Sequence, residues 1–263
     1  MGSATREALA TTVAVLAKQD KVSLEAGEQL LDASLLVAGS PQLRAALADD
    51  TAEAATKLGI VDAVFAAYTP VAKTVLDSLV VERWSSAADL VAGIEELGIR
   101  AIATSAPASL SIDDELLAFA AAVSSNAELE LALGSKLGSV DTRVALVRNL
   151  LGGKASEHTV AIVAALIAQP RGRRVGELLR YGANLVADQA GAAIATITVA
   201  IPLSKARLER LEKALSAQYD KDIRINEILD ARVLGGMRVQ IGDEVIDGTI
   251  SNRISDLRLQ LAG

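Results

Sequence analysis

The spacing of apolar residues changes once along this chain, near Asp188, and that change limits the folds it can adopt. Before this point apolar residues recur every three or four positions, as in residues 9–16, which is the spacing of amphipathic helices. After it, residues 196–201, 223–226 and 237–241 alternate between apolar and polar, which is typical of half-buried strands. The sequence therefore predicts a mainly α protein, in which helical bundles precede a small α+β module.

Helix boundaries are marked by capping residues. Ser40-Pro41 and Thr69-Pro70 each place a capping side chain before a proline that suits the first helical position. Gly98 precedes a stretch without helical spacing that contains Pro107, so residues 99–108 are predicted to be a linker. Beyond it, Ser111 with Asp114 three residues later predicts a capping box and a new helix.

The helical part contains an internal repeat. Leu43 and Leu47 correspond to Leu129 and Leu133, each 86 residues later, and the cap at Ser40 corresponds to Asn126. The alternative is that two helical segments merely share a periodicity, but the recurrence of the caps favours duplication. We therefore expect three domains: an N-terminal bundle (1–105), a second bundle (106–191) and a C-terminal α+β module (192–263).

Composition excludes several classes of protein. With 26 basic and 33 acidic residues the net charge is −7, which argues against a nucleic-acid partner. Aromatic residues make up only 2%, and much of the 51% hydrophobic content is alanine, which favours close-packed helices. The longest apolar run, 160–168, is far shorter than the ~20 residues of a membrane span, and no signal peptide is evident. We expect a soluble, cytosolic chain with no direct membrane insertion.

No constellation of residues indicates catalysis. The chain has no cysteine and one histidine, His158, so a zinc site of the usual ligands is not expected. Gly153-Lys154 lacks the earlier glycine of a phosphate loop, since Arg148 stands there. The paired carboxylates at 95–96 and 113–115 are interpreted as solvated faces or as partners of helix dipoles. We predict no catalytic, cofactor-binding or metal-binding residue.

The closing thirty residues carry a specific pattern of turns and strands. Turn residues surround two short strands and precede an apolar helical stripe at Ile250, Ile254, Leu257 and Leu261, with Thr249 as its expected N-cap. The turn residues are Gly235, Gly236, Gly242, Asp243, Asp247 and Gly248. Gly248 is expected to take a positive φ angle.

This closing pattern resembles the C-terminal signature of the delta subunit of F-type ATP synthases, called the oligomycin-sensitivity-conferring protein in mitochondria. The run 242–248 followed by Arg253 fits without a gap. The resemblance implies a non-catalytic peripheral-stalk subunit at the cytoplasmic face of the cell membrane. It also implies that a helical bundle binds the N-terminal helices of the alpha subunits, and that the C-terminal module binds the C-terminal end of the b subunit. Two bundles are a feature of actinobacterial members.

The alternative is a helical-repeat adaptor unrelated to ATP synthase, although such a protein has no reason to carry the closing turns. Several residues are candidates for partner binding. The arginines after Pro170 form either a solvated turn or a docking patch for an acidic segment, and Trp84 belongs either to the core or, if exposed, to an interface. The candidates are Arg83, Trp84, Arg171, Arg173, Arg174 and Arg253.

Overall fold

The computed structural model describes residues 2–135, 139–242 and 244–249, which fall into two compact units, Met1–Val186 and Ala187–Gly263. The first unit is helical, and its last helix runs three residues past the boundary between the units. Helices α1 to α11 span Ser3–Ala17, Leu24–Gly39, Pro41–Ala48, Ala54–Val64, Pro70–Val81, Ala87–Ser105, Ile112–Ser124, Ala127–Gly134, Val140–Leu151, Glu157–Ala168 and Val175–Gln189.

The helix starts follow the capping signals in the sequence. The side chains of Ser23, Ser40 and Thr69 each accept a hydrogen bond from the backbone N–H three residues later. Each thereby satisfies a donor that the first helical turn leaves without an intrahelical partner. The capping box predicted at Ser111 is wrong, because α7 starts there without a side-chain cap.

The linker predicted over residues 99–108 is also wrong, since α6 continues to Ser105. Every residue from Ile94 to Ile102 is buried. The prediction took Gly98 as the end of a helix, whereas this glycine lies within α6 where another helix packs against it. A Cβ at this position would lie 3.0 Å from the backbone nitrogen of Leu31. Glycine therefore allows α2 and α6 to approach closely, and α6 passes through the interior of the helical unit.

The helical unit repeats one arrangement of five helices. Helices α2 to α6 are followed by α7 to α11, and each start lies 86 to 88 positions after its counterpart. Buried residues recur with the helices: Leu47 and Leu133 are both 1% exposed, and Phe65 and Leu151 are both buried. These correspondences support the duplication that the capping residues predicted.

The second unit contains a four-stranded mixed sheet and α12 (Lys205–Tyr219). The strands are β1 (Ala192–Val199), β2 (Asp222–Leu229), β3 (Met237–Ile241) and β4 (Glu244–Asp247), in the order β2-β1-β3-β4. β1 is parallel to β2 and antiparallel to β3, and α12 packs on β2. Ile197, Ile223 and Val239 form the core with Leu215 of α12. β1 ends before Ile201, which the alternating pattern had included and which is 72% exposed.

Candidate interaction surfaces

Both bundles anchor one helix by the same contact. In the first, Oε1 of Gln29 on α2 accepts hydrogen bonds from the N–H (2.7 Å) and hydroxyl (2.8 Å) of Thr69, the N-cap of α5. In the second, Oε2 of Glu115 on α7 accepts them from the N–H (3.0 Å) and hydroxyl (2.7 Å) of Ser156, the N-cap of α10. Sequence reasoning missed this pair, although both members recur at the spacing of the repeat.

The second copy of this contact carries a charge. Burial alone would raise the pKa of Glu115, but hydrogen bonds from Thr159 and Ser156 outweigh it, and the pKa lies below its usual value. His158 also lowers the pKa of Glu115. The sole histidine thus lies in the first turn of α10 and acts on the neighbouring carboxylate.

Two of the arginines after Pro170, Arg171 and Arg173, contact the interior of their own chain. Arg171 Nη2 lies 2.7 Å and Arg173 Nη2 3.1 Å from the two oxygens of Glu95 on α6, whose side chain is 2% exposed. The Arg173 guanidinium also lies 4.3 Å from the ring centroid of Tyr181. Burial raises the pKa of Glu95, and the two arginines oppose this rise. The acidic segment that these arginines bind in this structure is therefore α6. A role for them in binding another chain stays a prediction.

An apolar groove lies beside these arginines. It has a volume of ≈ 460 Å³ and is lined by α8, by the end of α10 and by the turn that leads into α11. Its lining includes Leu131, which is 72% exposed, with Leu133 and Ile167. Arg173 and Arg174 line it as well. Apolar grooves flanked by charge accept amphipathic helices, so this groove is one candidate docking surface.

Arg83 and Trp84 differ in accessibility. The Arg83 side chain is 77% exposed and lies 3.6 Å from Asp50, an exposed ion pair that contributes little to stability. Trp84 is buried, and its indole N–H donates to the carbonyl of Leu79 at 2.9 Å. A Cβ at Gly93 would lie 2.2 Å from the Trp84 ring, so this ring fills space that the glycine leaves. Trp84 is a core residue, and it does not supply an exposed contact in this unit.

The turn glycines of the second unit differ from the prediction at one position. Gly235, Gly236 and Gly242 have positive φ angles, whereas Gly248 does not, so the expectation for Gly248 is wrong. The constraint lies at Gly236, where a Cβ would be 2.4 Å from the carbonyl oxygen of Gly248. The Asp247 carboxylate accepts hydrogen bonds from the N–H and hydroxyl of Thr249. Asp243, Arg253 and the helix predicted after Thr249 lie outside the described residues.

Two features are absent from the part of the chain that the structure describes. Within residues 2–135, 139–242 and 244–249, no group of three or more His, Asp or Glu side chains is placed to hold a metal. No single helix in these ranges has the length and hydropathy to cross a membrane. Helices α7 and α8 meet these criteria only when they are taken together, and the chain bends by 108° between them. The fold defines a mainly helical protein, in which a repeated arrangement of helices is followed in sequence by a small mixed-sheet module.

Comparison with known proteins identifies the family. The family model described as "ATP synthase delta (OSCP) subunit" matches residues 100–261. The ATP synthase subunit delta of Leifsonia xyli subsp. xyli is 51% identical over 264 residues, which cover 100% of both chains. That of Streptomyces griseus subsp. griseus is 35% identical, again over 100% of both, and that of Thermobifida fusca is 34% identical over 90% of each. The chain belongs to the ATP synthase delta (OSCP) subunit family.

Membership of this family establishes the general role of the chain. The chain is a non-catalytic, peripheral-stalk component of the F-type ATP synthase, a membrane-associated complex that couples proton transport to ATP synthesis. The family model begins within α6, so α1 to α5 precede the matched region. The two full-length relatives nevertheless align over the whole chain, which means that they carry a counterpart of the first bundle.

Proposed function

We propose that this subunit holds the catalytic head static against the torque of the rotor by binding two partners at once. The helical unit binds the N-terminal helices of the alpha subunits, and the C-terminal module binds the C-terminal end of the b subunit. The complex lies at the cytoplasmic face of the cell membrane. Within the chain we propose three parts, 1–105, 106–191 and 192–263.

The observation that supports this proposal is the division into two compact units of different architecture. A linker between head and stalk needs two separate binding surfaces, and each unit has its own hydrophobic core to support one. The helical unit also presents a groove between helices, which suits a partner helix.

Site-directed cross-linking tests the proposal, since the chain has no native cysteine to interfere. Cysteines are placed singly by Ala10→Cys on α1 and Ala214→Cys on α12, both at exposed positions. After labelling with a photoreactive maleimide, each variant is added back to membranes stripped of this subunit. We expect Ala10→Cys to cross-link to alpha and Ala214→Cys to b, with ATP synthesis restored. Capture of the same subunit from both positions would contradict the division of labour.

A further inference from the structure

The groove beside α8 has a counterpart in the first bundle, so the duplicated fold allows the two surfaces to be compared. Helix α8 begins 86 positions after α3, and α11 begins 88 positions after α6. The elements equivalent to the walls of the groove are therefore α3 and the turn before α6. Where the side chains of the two copies differ, the difference belongs to the second bundle alone.

Three side chains distinguish the groove from its counterpart. Leu131 stands where the first bundle has Ala45, 86 positions earlier. Arg173 and Arg174 stand where the first bundle has serines, at positions 85–86, which lie 88 positions earlier. The second bundle therefore carries a large apolar side chain and two cations where the first carries small, uncharged side chains.

The apolar part of the groove favours a partner that covers it. Leu133 and Ile167 are buried beneath it, whereas Leu131, which lines the same groove, is 72% exposed. An apolar side chain placed on Leu131 would remove the surface of this leucine from water, and this removal favours association. A helix presents such side chains at i, i+3, i+4 and i+7, a stripe that suits a groove between helices.

The charged side chains that line the groove indicate an acid on the partner. Arg173 is already paired with Glu95 of α6. Arg174 is exposed, and within the described ranges its guanidinium forms no ion pair; only its backbone N–H is bound, to Glu177 Oε2 at 3.3 Å. The acid that lines the groove, Glu130, belongs to α8 and would repel a partner carboxylate on that side. A partner acid is therefore favoured at Arg174 and disfavoured at α8.

We propose that the groove beside α8 is a docking site for an acidic amphipathic helix of another subunit of the ATP synthase. The apolar stripe of this helix covers Leu131, and an Asp or Glu beside the stripe pairs with Arg174. The inference goes beyond the proposed function, because it assigns to the second bundle a contact that Ala45 and the two serines of the first bundle do not support.

Photo-cross-linking in the assembled complex tests the proposal. Ala127→Cys places a photoreactive maleimide on an exposed residue that lines the groove, and it leaves Leu131 and Arg174 intact. The labelled chain is added back to membranes stripped of this subunit and irradiated, and the cross-linked segment is identified by mass spectrometry after proteolysis. We expect a segment of another subunit that has an apolar stripe of helical spacing with Asp or Glu beside it.

Second substitutions in the Ala127→Cys chain test the two contacts. Leu131→Ala introduces the residue of the first bundle, and Arg174→Glu reverses the charge. Each should lower the yield of the adduct about fivefold or more. Lys154→Glu is the matched control, because this lysine is an exposed cation of the same bundle outside the groove, and it should leave the yield unchanged.

The other outcomes overturn the proposal. An adduct with a second copy of this chain, or with a segment that carries Lys or Arg in place of the acid, would refute the assigned partner. Equal yields in Arg174→Glu and Lys154→Glu would refute the role of Arg174. If Arg174→Glu fails to fold by circular dichroism, Arg174→Gln replaces it, with the same direction of effect. If Ala127→Cys gives no adduct while Ala10→Cys still cross-links to alpha, this inference fails and the proposed function stands.

Discussion

Replacing Gly236 with alanine tests the constraint that the structure places in the C-terminal module. Gly236 has φ +80°, which L-residues avoid at a cost of about 1–2 kcal/mol. An alanine Cβ would also lie 2.4 Å from the Gly248 carbonyl oxygen and 2.9 Å from the Thr249 Cα. Both are backbone atoms, so no side-chain rotation relieves the contact. The substitution must move the strand ends apart.

The size of the effect follows from these two costs. Separating the strand ends weakens the hydrogen bond from the Gly248 N–H to the Met237 carbonyl, which is 2.9 Å long, and such a bond is worth about 1 kcal/mol net. Together with the backbone strain, we expect Gly236→Ala to cost about 2–3 kcal/mol of local stability. Amide hydrogen exchange in β3 and β4 should then accelerate about 30- to 150-fold.

Hydrogen exchange on the full chain measures this directly, because peptides from α2 report the helical unit as an internal reference. Gly242→Ala is the matched control: its φ is +57° and no atom lies within 4 Å of the added Cβ, so only the backbone strain applies. Gly248→Ala, which has an ordinary φ and a nearest contact of 3.2 Å, should cost less than Gly236→Ala. Equal acceleration in Gly236→Ala and Gly242→Ala would refute the argument from close approach.

Substitutions at two further positions test contacts of the helical unit by urea denaturation. Glu115→Gln should cost less than about 1 kcal/mol of unfolding free energy, because Gln29 makes the same contact in the first bundle, whereas Glu115→Ala should cost about 1–3 kcal/mol. Because the pKa of Glu115 is lower in the folded chain than in the unfolded chain, the ionised carboxylate stabilises the fold at pH values above the unfolded pKa. The difference in unfolding free energy between wild type and Glu115→Gln should therefore disappear as the pH falls through the acid range. A difference that grew with falling pH would contradict the assignment. Glu95→Ala should lower the unfolding free energy by about 2–4 kcal/mol. This is less than is usual for a broken buried ion pair, because the Arg171 and Arg173 side chains are each about a quarter exposed. A change near zero would show that the ion pair does not contribute to stability.

Local signals in the sequence predicted much of the fold. The caps at Ser40 and Thr69 and the change of period near Asp188 depend on neighbours within a few residues, so they can be read from the chain itself. The same rules failed at Gly98, where the reason for glycine is a helix more than sixty residues away in sequence, packed against it at Leu31. A glycine that permits close packing and a glycine that ends a helix look alike in a single sequence.

The candidate surfaces were harder to predict for the same reason. Glu95 was interpreted as part of a solvated face, and the arginines after Pro170 as either a solvated turn or a docking patch for an acidic segment. Glu95, Arg171 and Arg173 meet because the fold brings α6 against the turn before α11. The relation between the N-cap contacts of Gln29 and Glu115 follows only from aligning the two copies helix by helix.

The unbroken course of α6 has a mechanical consequence. Its 19 residues extend about 28 Å, and it packs against α2 of the first bundle and α10 of the second. We expect a force applied to one bundle to be transmitted to the other through this continuous helix, which no loop interrupts. We therefore expect the two bundles to move as one body, with a stiffness that depends on the packing of one buried helix.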